Sequence, residues 1–268
     1  MRRGDDVPGL VRREPGGVAF NVAFGLAQRG VPTRLIAAVG GDTDGDMLLN
    51  IARLRGIDTD DMLRVAGAET DQYTAVEGAD GQLFGAVSDD STLEDMAEHL
   101  FAQFNGKSIG GIVVLDGNLP QRVLDTLAST TALRGADLRL VPASPVKAHR
   151  IKGLMLARPA TVYANIAEAN AILSGVFDDT KAAAAAFVEQ GAKAALVTDG
   201  ARPAAYADSE QVVTAAPPPV IVGTVTGAGD ALVAGHIAAQ ISGRSPWDAL
   251  AAGLRAAADA ISKQRQSR

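Results

Sequence analysis

The chain has 268 residues, 47% of them apolar, and carries 25 Lys and Arg against 31 Asp and Glu for a net charge of −6. Such a chain can bury a substantial core in one large α/β domain or two smaller ones, and its acidic balance leaves no basic excess to neutralise nucleic-acid phosphates. Without cysteine there is no disulfide, thiolate nucleophile or thiolate metal site, and no stretch approaches the ~20 apolar residues of a membrane span.

Taken in chain order, the first element is a helix predicted over Ala19–Arg29, entered through Pro15-Gly16-Gly17. Two bare glycines let a ligand approach the backbone, and Asn21, one turn later, can donate to and accept from a sugar diol. The same residues also read as a simple bend and a cap. A strand over Arg34–Val39 leads through Gly40-Gly41-Asp42-Thr43-Asp44-Gly45 into a helix over Thr43–Arg55. Between Met62 and Ser88, alternating stretches flank Ala79-Asp80-Gly81, a hairpin signal. A hairpin inserted in an α/β domain either covers the active-site mouth or a partner subunit, or is a plain surface excursion; we read a small β-lid.

Short apolar runs at Gly111–Leu115, Leu138–Pro142, Thr161–Tyr163 and Ala194–Thr198 read as buried strands. Helical patterns follow at Gln121–Ser129, Ile166–Leu173, Thr180–Gln190, Ala228–Ile241 and Pro246–Lys263. Strand–helix alternation predicts a mostly parallel sheet covered on both faces, with ligands beyond the carboxyl ends of its strands. Each glycine turn is accordingly placed at a strand-to-helix junction.

The most informative stretch is Gly223-Thr-Val-Thr-Gly-Ala-Gly-Asp230, running directly into an apolar helix. A bare turn at a helix start aims free N–H groups and the positive end of the helix dipole at one spot, where anions bind. A carboxylate beside that spot suits a transient anion, such as a phosphoryl group in transfer, with Asp230 taking the proton of the attacking hydroxyl. Asp230 also reads as an ordinary acidic residue in a first turn. Two other glycine motifs are excluded. A dinucleotide fingerprint from Gly227 requires glycine where Leu232 stands, and a Walker loop ending in Gly106-Lys107-Ser108 requires it at Phe101. His99, His149 and His236 show no metal-ligand spacing.

Together, Gly16-Gly17 with Asn21, the acidic Asp42-Thr-Asp44-Gly45 turn, Asn165-Ile-Ala-Glu168, Thr198-Asp-Gly200 and Gly227-Ala-Gly-Asp230 occur in the order of the ribokinase-like (PfkB) carbohydrate kinases. The chain resembles that family over essentially its whole length. Pro15-Gly-Gly-Val-x-x-Asn21, Thr70-Asp-Gln-Tyr-Thr-Ala-Val, Asp-Gly-Gln-Leu-Phe, Asp116-Gly-Asn118 and Val141-Pro-Ala-Ser144 are similar to its pseudouridine kinase branch.

The resemblance implies one ribokinase-like domain over 1–268: a Rossmann-type three-layer core with a β-lid in segments 5–15 and 62–90. It implies a cytoplasmic kinase using ATP and Mg²⁺, with K⁺ as a further candidate cation. The acceptor would be the 5′-hydroxyl of pseudouridine, with another sugar or nucleoside as the alternative. A non-catalytic ligand-binding relative is the rival from another class. By the match Asp230 is the base, and Gly227, Ala228 and Gly229 hold the γ-phosphoryl group. Asn165 and Glu168 organise Mg²⁺ through water, although they also fit a plain capping box. Thr198 and Gly200 contact nucleotide; Gly17, Asn21 and Asn118 contact the sugar. Tyr73 or Gln72 reaches from the lid toward the base, unless Tyr73 is an ordinary cross-strand aromatic. The partners implied are a small-molecule acceptor and a second copy through the lid, with no nucleic acid or membrane.

The chain departs from the family in several places. The family begins with a strand ending in a sugar-binding aspartate, whereas Met1–Gly9 offers no apolar run and Asp5 and Asp6 take no such role. The expectation is a trimmed or misassigned start. Phe20 stands where the branch often has arginine, Ala164 where the family favours proline, and Arg202-Pro203 breaks a usually glycine-rich turn. The tail after Lys263 is short for the far edge of a nucleotide pocket.

Overall fold

The computed structural model describes residues 8–78, 83–104, 106–220 and 226–266. Its elements are α1 (Val18–Ala27), β1 (Ala38–Gly40), α2 (Thr43–Leu54), β2 (Leu63–Val65), β3 (Gln72–Glu77), β4 (Leu83–Asp89), α3 (Ser91–Ala102), β5 (Gly111–Asp116), α4 (Gln121–Ser129) and β6 (Ala136–Val141). A 3₁₀ turn (Ala148–Ile151) then runs into α5 (Lys152–Ala157), followed by β7 (Ala160–Asn165), α6 (Ile166–Leu173), α7 (Thr180–Glu189), β8 (Ala194–Asp199), β9 (Arg202–Asp208), β10 (Val212–Ala215), α8 (Ala228–Ile241) and α9 (Pro246–Gln266).

The main sheet has the order β10-β9-β8-β7-β6-β5. Strands β5 to β8 are parallel, and β9 and β10 return antiparallel along one side. Side chains alternate between two apolar layers, as a strand buried on both faces requires. Ala195 and Val197 of β8, with Ala160, Val162 and Ala164 of β7, face the layer holding Leu124, Ile172 and Phe187. Ala194, Leu196 and Tyr163 face the opposite layer with Val22, Leu232, Ile237 and Leu250. Helix α1 belongs to two clusters, since Val22 and Leu26 lie against α8 while Phe20 and Ala23 pack with Leu35, Ala52 and Ile57.

The predicted strand at Arg34–Val39 is regular only over Ala38–Gly40. Its partner β2 is short, and Arg34 makes a lone bridge to Asp58. The expectation that every glycine turn joins a strand to a helix fails at Thr198-Asp199-Gly200, which joins β8 to the antiparallel β9. The cause is β9 itself, Arg-Pro-Ala-Ala-Tyr-Ala-Asp, which is alanine-rich and lacks the β-branched residues that mark strands. The lid ribbon pairs β3 with β4 antiparallel from Gln72 opposite Asp89 to Glu77 opposite Leu83. Its expected Asp80-Gly81 turn, like Asp5 and Asp6 and the opening Gly223-Thr-Val of the anion motif, lies outside the described residues. Residues 8–17 contain no helix or strand, and Arg13 is paired with Asp44 at 3.2 Å.

Two packing features fix the helices around the site. A Cβ at Gly25 of α1 would lie 2.6 Å from the Ala234 Cβ of α8, so only glycine permits this approach. Farther along α8, His236 is completely buried with its Nδ1 3.0 Å from the Tyr163 hydroxyl. Arg139 of β6 donates to that hydroxyl at 3.2 Å and to Gln240 of α8 at 2.7 Å. Burial pushes His236 down to about 3 and Tyr163 up to about 12. The imidazole is therefore neutral. Its Nε2 is buried without a partner among the described residues. Among the described residues no helix is long and apolar enough to cross a membrane.

Candidate active site

The N-termini of α1, α6 and α8 converge at the carboxyl ends of β5, β7 and β8. The Asn21 amide, in the first turn of α1, donates to Asp230 Oδ2 at 2.8 Å, joining residues far apart in sequence. Asp230 lies in the first turn of α8, whose N-cap is Gly227 at φ 80 and ψ −3. That left-handed conformation is open to glycine and strained for a residue with a Cβ. Among the described residues no side chain caps this helix, and a return bond runs from the Ala231 N–H to the Gly227 carbonyl. The N–H groups of Ala228, Gly229 and Asp230 thus stand at the uncapped end of a long helix, as an anion cradle requires.

Burial pushes the Asp230 carboxyl up to about 7; the Asn21 hydrogen bond opposes this, and the negative charges of Asp116 and Glu168 add to it. Asp116, at the end of β5, is the residue sequence reasoning missed. In the sequence it stands out only as part of Asp116-Gly-Asn118. Its Oδ2 accepts from the Ala19 N–H at 3.2 Å and its Oδ1 from the Asn118 N–H at 2.8 Å. Burial raises its pKa while those two backbone bonds lower it. Its position, an acid ending an apolar run at the carboxyl edge of a parallel sheet, was the signal available.

Asn165 and Glu168 form the capping box that α6 needs: Glu168 N–H donates to Asn165 Oδ1 at 2.9 Å, and Asn165 N–H to Glu168 Oε2 at 2.9 Å. The box engages one oxygen of each side chain, leaving the Asn165 amide N–H groups and Glu168 Oε1 for other partners. Glu168 is 8% exposed, and burial raises its pKa against the bond from Asn165. Among the described residues no group of three or more His, Cys, Asp or Glu could cage a metal ion. The donor set fits Mg²⁺ held through its waters and substrate phosphates, which is that ion's usual state in kinase sites.

Thr198 lies directly opposite Asn165 in the β7–β8 register, and Gly200 at φ 55 is exposed in the turn that follows. Gly17, at φ 100, is the exposed N-cap of α1. Asn118 is part-buried, and its Oδ1 accepts from Lys147 at 2.8 Å. Tyr73 is 58% exposed on the ribbon, opposite Ser88 rather than another aromatic. Neither Tyr73 nor Gln72 makes a hydrogen bond to the residues gathered around Asp230. The ribbon does reach the anion turn, where Thr226 Oγ1 lies 3.5 Å from Glu77 Oε1. At the root of the lid, Asp42 accepts from the Thr70 hydroxyl at 2.6 Å and from the backbone N–H groups of Thr70 and Gly45 at 2.8 Å. These bonds hold its carboxyl down to about 2, the Thr70 hydroxyl contributing most.

Residues 7–267 match the pfkB family carbohydrate kinases. The chain is 29% identical over 246 residues to the pseudouridine kinase of Escherichia coli, covering 89% of this chain and 77% of that one. It is 30% identical over 243 residues to the 1-phosphofructokinase of Xanthomonas campestris, covering 86% and 75%. In three dimensions it is similar to the ribokinase of Thermotoga maritima with a TM-score of 0.82 at 20% identity, covering 97% of this chain and 86% of that one.

Proposed function

The chain belongs to the pfkB family of carbohydrate kinases, and from that premise we propose that it transfers the γ-phosphoryl group of ATP to the 5′-hydroxyl of pseudouridine. The observation that carries the reading is Asp230: a carboxylate held by Asn21 beside an uncapped helix N-terminus, with a pKa near neutrality. A base poised there is ionised for much of its time at neutral pH and still binds a proton readily.

In this mechanism Asp230 accepts the hydroxyl proton as the acceptor oxygen bonds to phosphorus and the bond to the β-phosphate oxygen breaks. The N–H groups around Gly227, Ala228 and Gly229 meet the charge that spreads over the transferring oxygens. Asn165 and Glu168 would hold Mg²⁺ through water, and the ion would supply charge neutralisation between the phosphates. Thr198 and Gly200 border the nucleotide. Gly17, Asn21 and Asn118 line the acceptor side, and the ribbon covers it with Tyr73 toward the base. Asp116 keeps the α1 turn and the Asn118 loop in one frame. We further propose that the enzyme is cytoplasmic and pairs with a second copy through the lid. K⁺ remains part of the proposal only as an activator to be assayed.

Similarity to a 1-phosphofructokinase favours a second reading in which the same machinery serves a free or phosphorylated sugar. ADP release measured over pseudouridine, uridine, adenosine, ribose, fructose and fructose 1-phosphate separates the two. Turnover with pseudouridine alone supports the first reading, whereas turnover confined to a sugar replaces it. Tight binding without ADP release would show a non-catalytic relative. Asp230→Asn is expected to abolish turnover while ATP binding by calorimetry stays nearly unchanged; retained turnover would remove Asp230 as the base.

A further inference from the structure

Between the lid and the acceptor side lies a cation that the mechanism above leaves without a role. Lys147 precedes the 3₁₀ turn at Ala148, and its side chain is only 16% exposed. Its ammonium donates to Asn118 Oδ1 at 2.8 Å and also to Asp90 Oδ2. Asp90 directly follows β4 and occupies the N-cap of α3, so it sits at the point where the lid returns to the core. The Ser88 hydroxyl, at the end of the ribbon, donates to the other Asp90 oxygen at 2.6 Å. Burial pushes the Asp90 carboxyl up, but the bonds from Lys147 and Ser88 overcome it and leave it below its ordinary value.

The other side of the lid root is tied separately. Asp71 accepts from the N–H groups of Thr92 and Leu93 at 2.8 and 3.0 Å, and Thr70 is held by Asp42. None of these contacts reaches the acceptor side. Among the described residues Lys147 alone hydrogen-bonds both Asp90 and the Asn118 side chain, whereas Arg150 spans the same gap from Glu94 of α3, at 3.8 Å, to backbone carbonyls only. The bridge also sets chemistry. An ammonium only donates, so the Asn118 amide must turn its oxygen toward Lys147 and its NH₂ the other way. The Asn118 N–H is fixed by Asp116, and Arg150 donates to the Asn118 carbonyl at 3.3 Å. With the backbone pinned twice, the remaining freedom is the flip of the side-chain amide, and Lys147 on its oxygen, together with Asp116 on its NH₂ side, removes it.

We propose that Lys147 is a positioning residue for the acceptor: by joining Asp90 to Asn118, it makes the presentation of the Asn118 NH₂ to substrate depend on the seating of the lid. This inference rests on the kinase reading for its substrate and on the hydrogen bonds for its coupling, and the test separates the two. Lys147→Met keeps the apolar stem and removes the ammonium. Its acceptor KM should rise about tenfold, with the ATP KM within about twofold of the parent, and Lys147→Arg should recover part of the loss. Equal changes in both KM values would mark a merely structural residue and overturn the proposal, as would an unchanged acceptor KM.

The coupling is read without turnover from amide hydrogen exchange in ligand-free protein. Lys147→Met and Asp90→Asn should each speed exchange across β3 and β4, and the double variant no more than the stronger single. Additive acceleration, or none, overturns the coupling. If the parent protein phosphorylates no acceptor, the kinase reading fails, and the exchange measurement still decides whether Lys147 ties the lid to Asn118. Lys147→Gln, which also removes the ammonium, serves the same measurement if the methionine variant does not fold.

Discussion

At the residue scale, Asp230 makes the sharpest statement about pH. Its carboxyl titrates near 3.8 in an unfolded chain and at about 7 in the fold, because burial and two neighbouring acids disfavour its charge. Between those values the folded chain binds more protons than the unfolded one, so this group lowers stability as pH rises through the window. The stability gap between Asp230→Asn and the parent, followed by denaturant unfolding at each pH, should therefore grow in favour of the variant from pH 4 to pH 8, by an amount on the order of a few kcal/mol. A gap that does not change with pH would show that the carboxylate is not desolvated. In the proposed kinase the acid limb of kcat/KM should fall near pH 7. Glu168 separates cap from metal site. Glu168→Gln preserves the box, which accepts glutamine as well, and should leave Tm nearly unchanged. If Glu168 orders the waters of Mg²⁺, the magnesium needed for half-maximal turnover should rise severalfold; an unaltered requirement would leave it a cap alone. Asp230 and Asn21 were legible because a glycine-rich turn and an amide at a helix start carry local chemistry. Asp116 and Lys147 were not, because their meaning lies in contacts across the fold: Asp116 with Ala19, and Lys147 with Asp90 and Asn118.

At the scale of elements, α1 and α8 meet twice, one turn apart. Asn21 touches Asp230, and four residues on in each helix Gly25 lies against Ala234. Residues four apart share a helix face, so the polar contact is spaced by the glycine contact. Gly25→Ala places a methyl where no space exists, and overpacking of this kind costs about 1–3 kcal/mol. Since the helices can yield only by separating, the Asn21–Asp230 bond should lengthen. We expect a lower Tm together with a loss of turnover larger than the stability loss explains at 25 °C. Full activity per folded molecule would show that the pair does not need this spacing. Helices α2, α4 and α6 were readable almost to the residue, because apolar periodicity and their starts agree. Helix α3 (Ser91–Ala102) is not among the predicted elements: it follows directly on the alternating lid segment, which ends at residue 90. Strand β9 lacked β-branched residues, and β2 is too short to show a period.

At the scale of the whole molecule, the lid is a two-stranded ribbon with both faces apolar and open. Strand alternation puts Tyr73 on one face and Val76 and Val87 on the other, with Phe84 at the register shift beyond Gly85. Phe84 is 66% and Val87 70% exposed. If the aromatic face covers the acceptor, the aliphatic face meets a second lid. Val76→Lys with Val87→Lys should then shift sedimentation from dimer to monomer, while a parent already monomeric at tens of micromolar would end the clasp idea. The parallel part of the sheet was legible because strands buried on both faces read as continuous apolar runs, whereas the lid's covering role depends on where the ribbon lies rather than on its residues. The buried Arg139–Tyr163–His236 group has a different consequence, for inheritance. Tyr163 joins the other two, so losing it strands His236 Nδ1 in an oily layer and losing either neighbour leaves its hydroxyl one partner short, while exchanging all three for fitted apolar residues leaves only the part-buried Gln240 and Asp137 to re-pair. Lineages descended from this chain should therefore keep or discard the trio as a block, and a hybrid gene that splits it between parents should misfold.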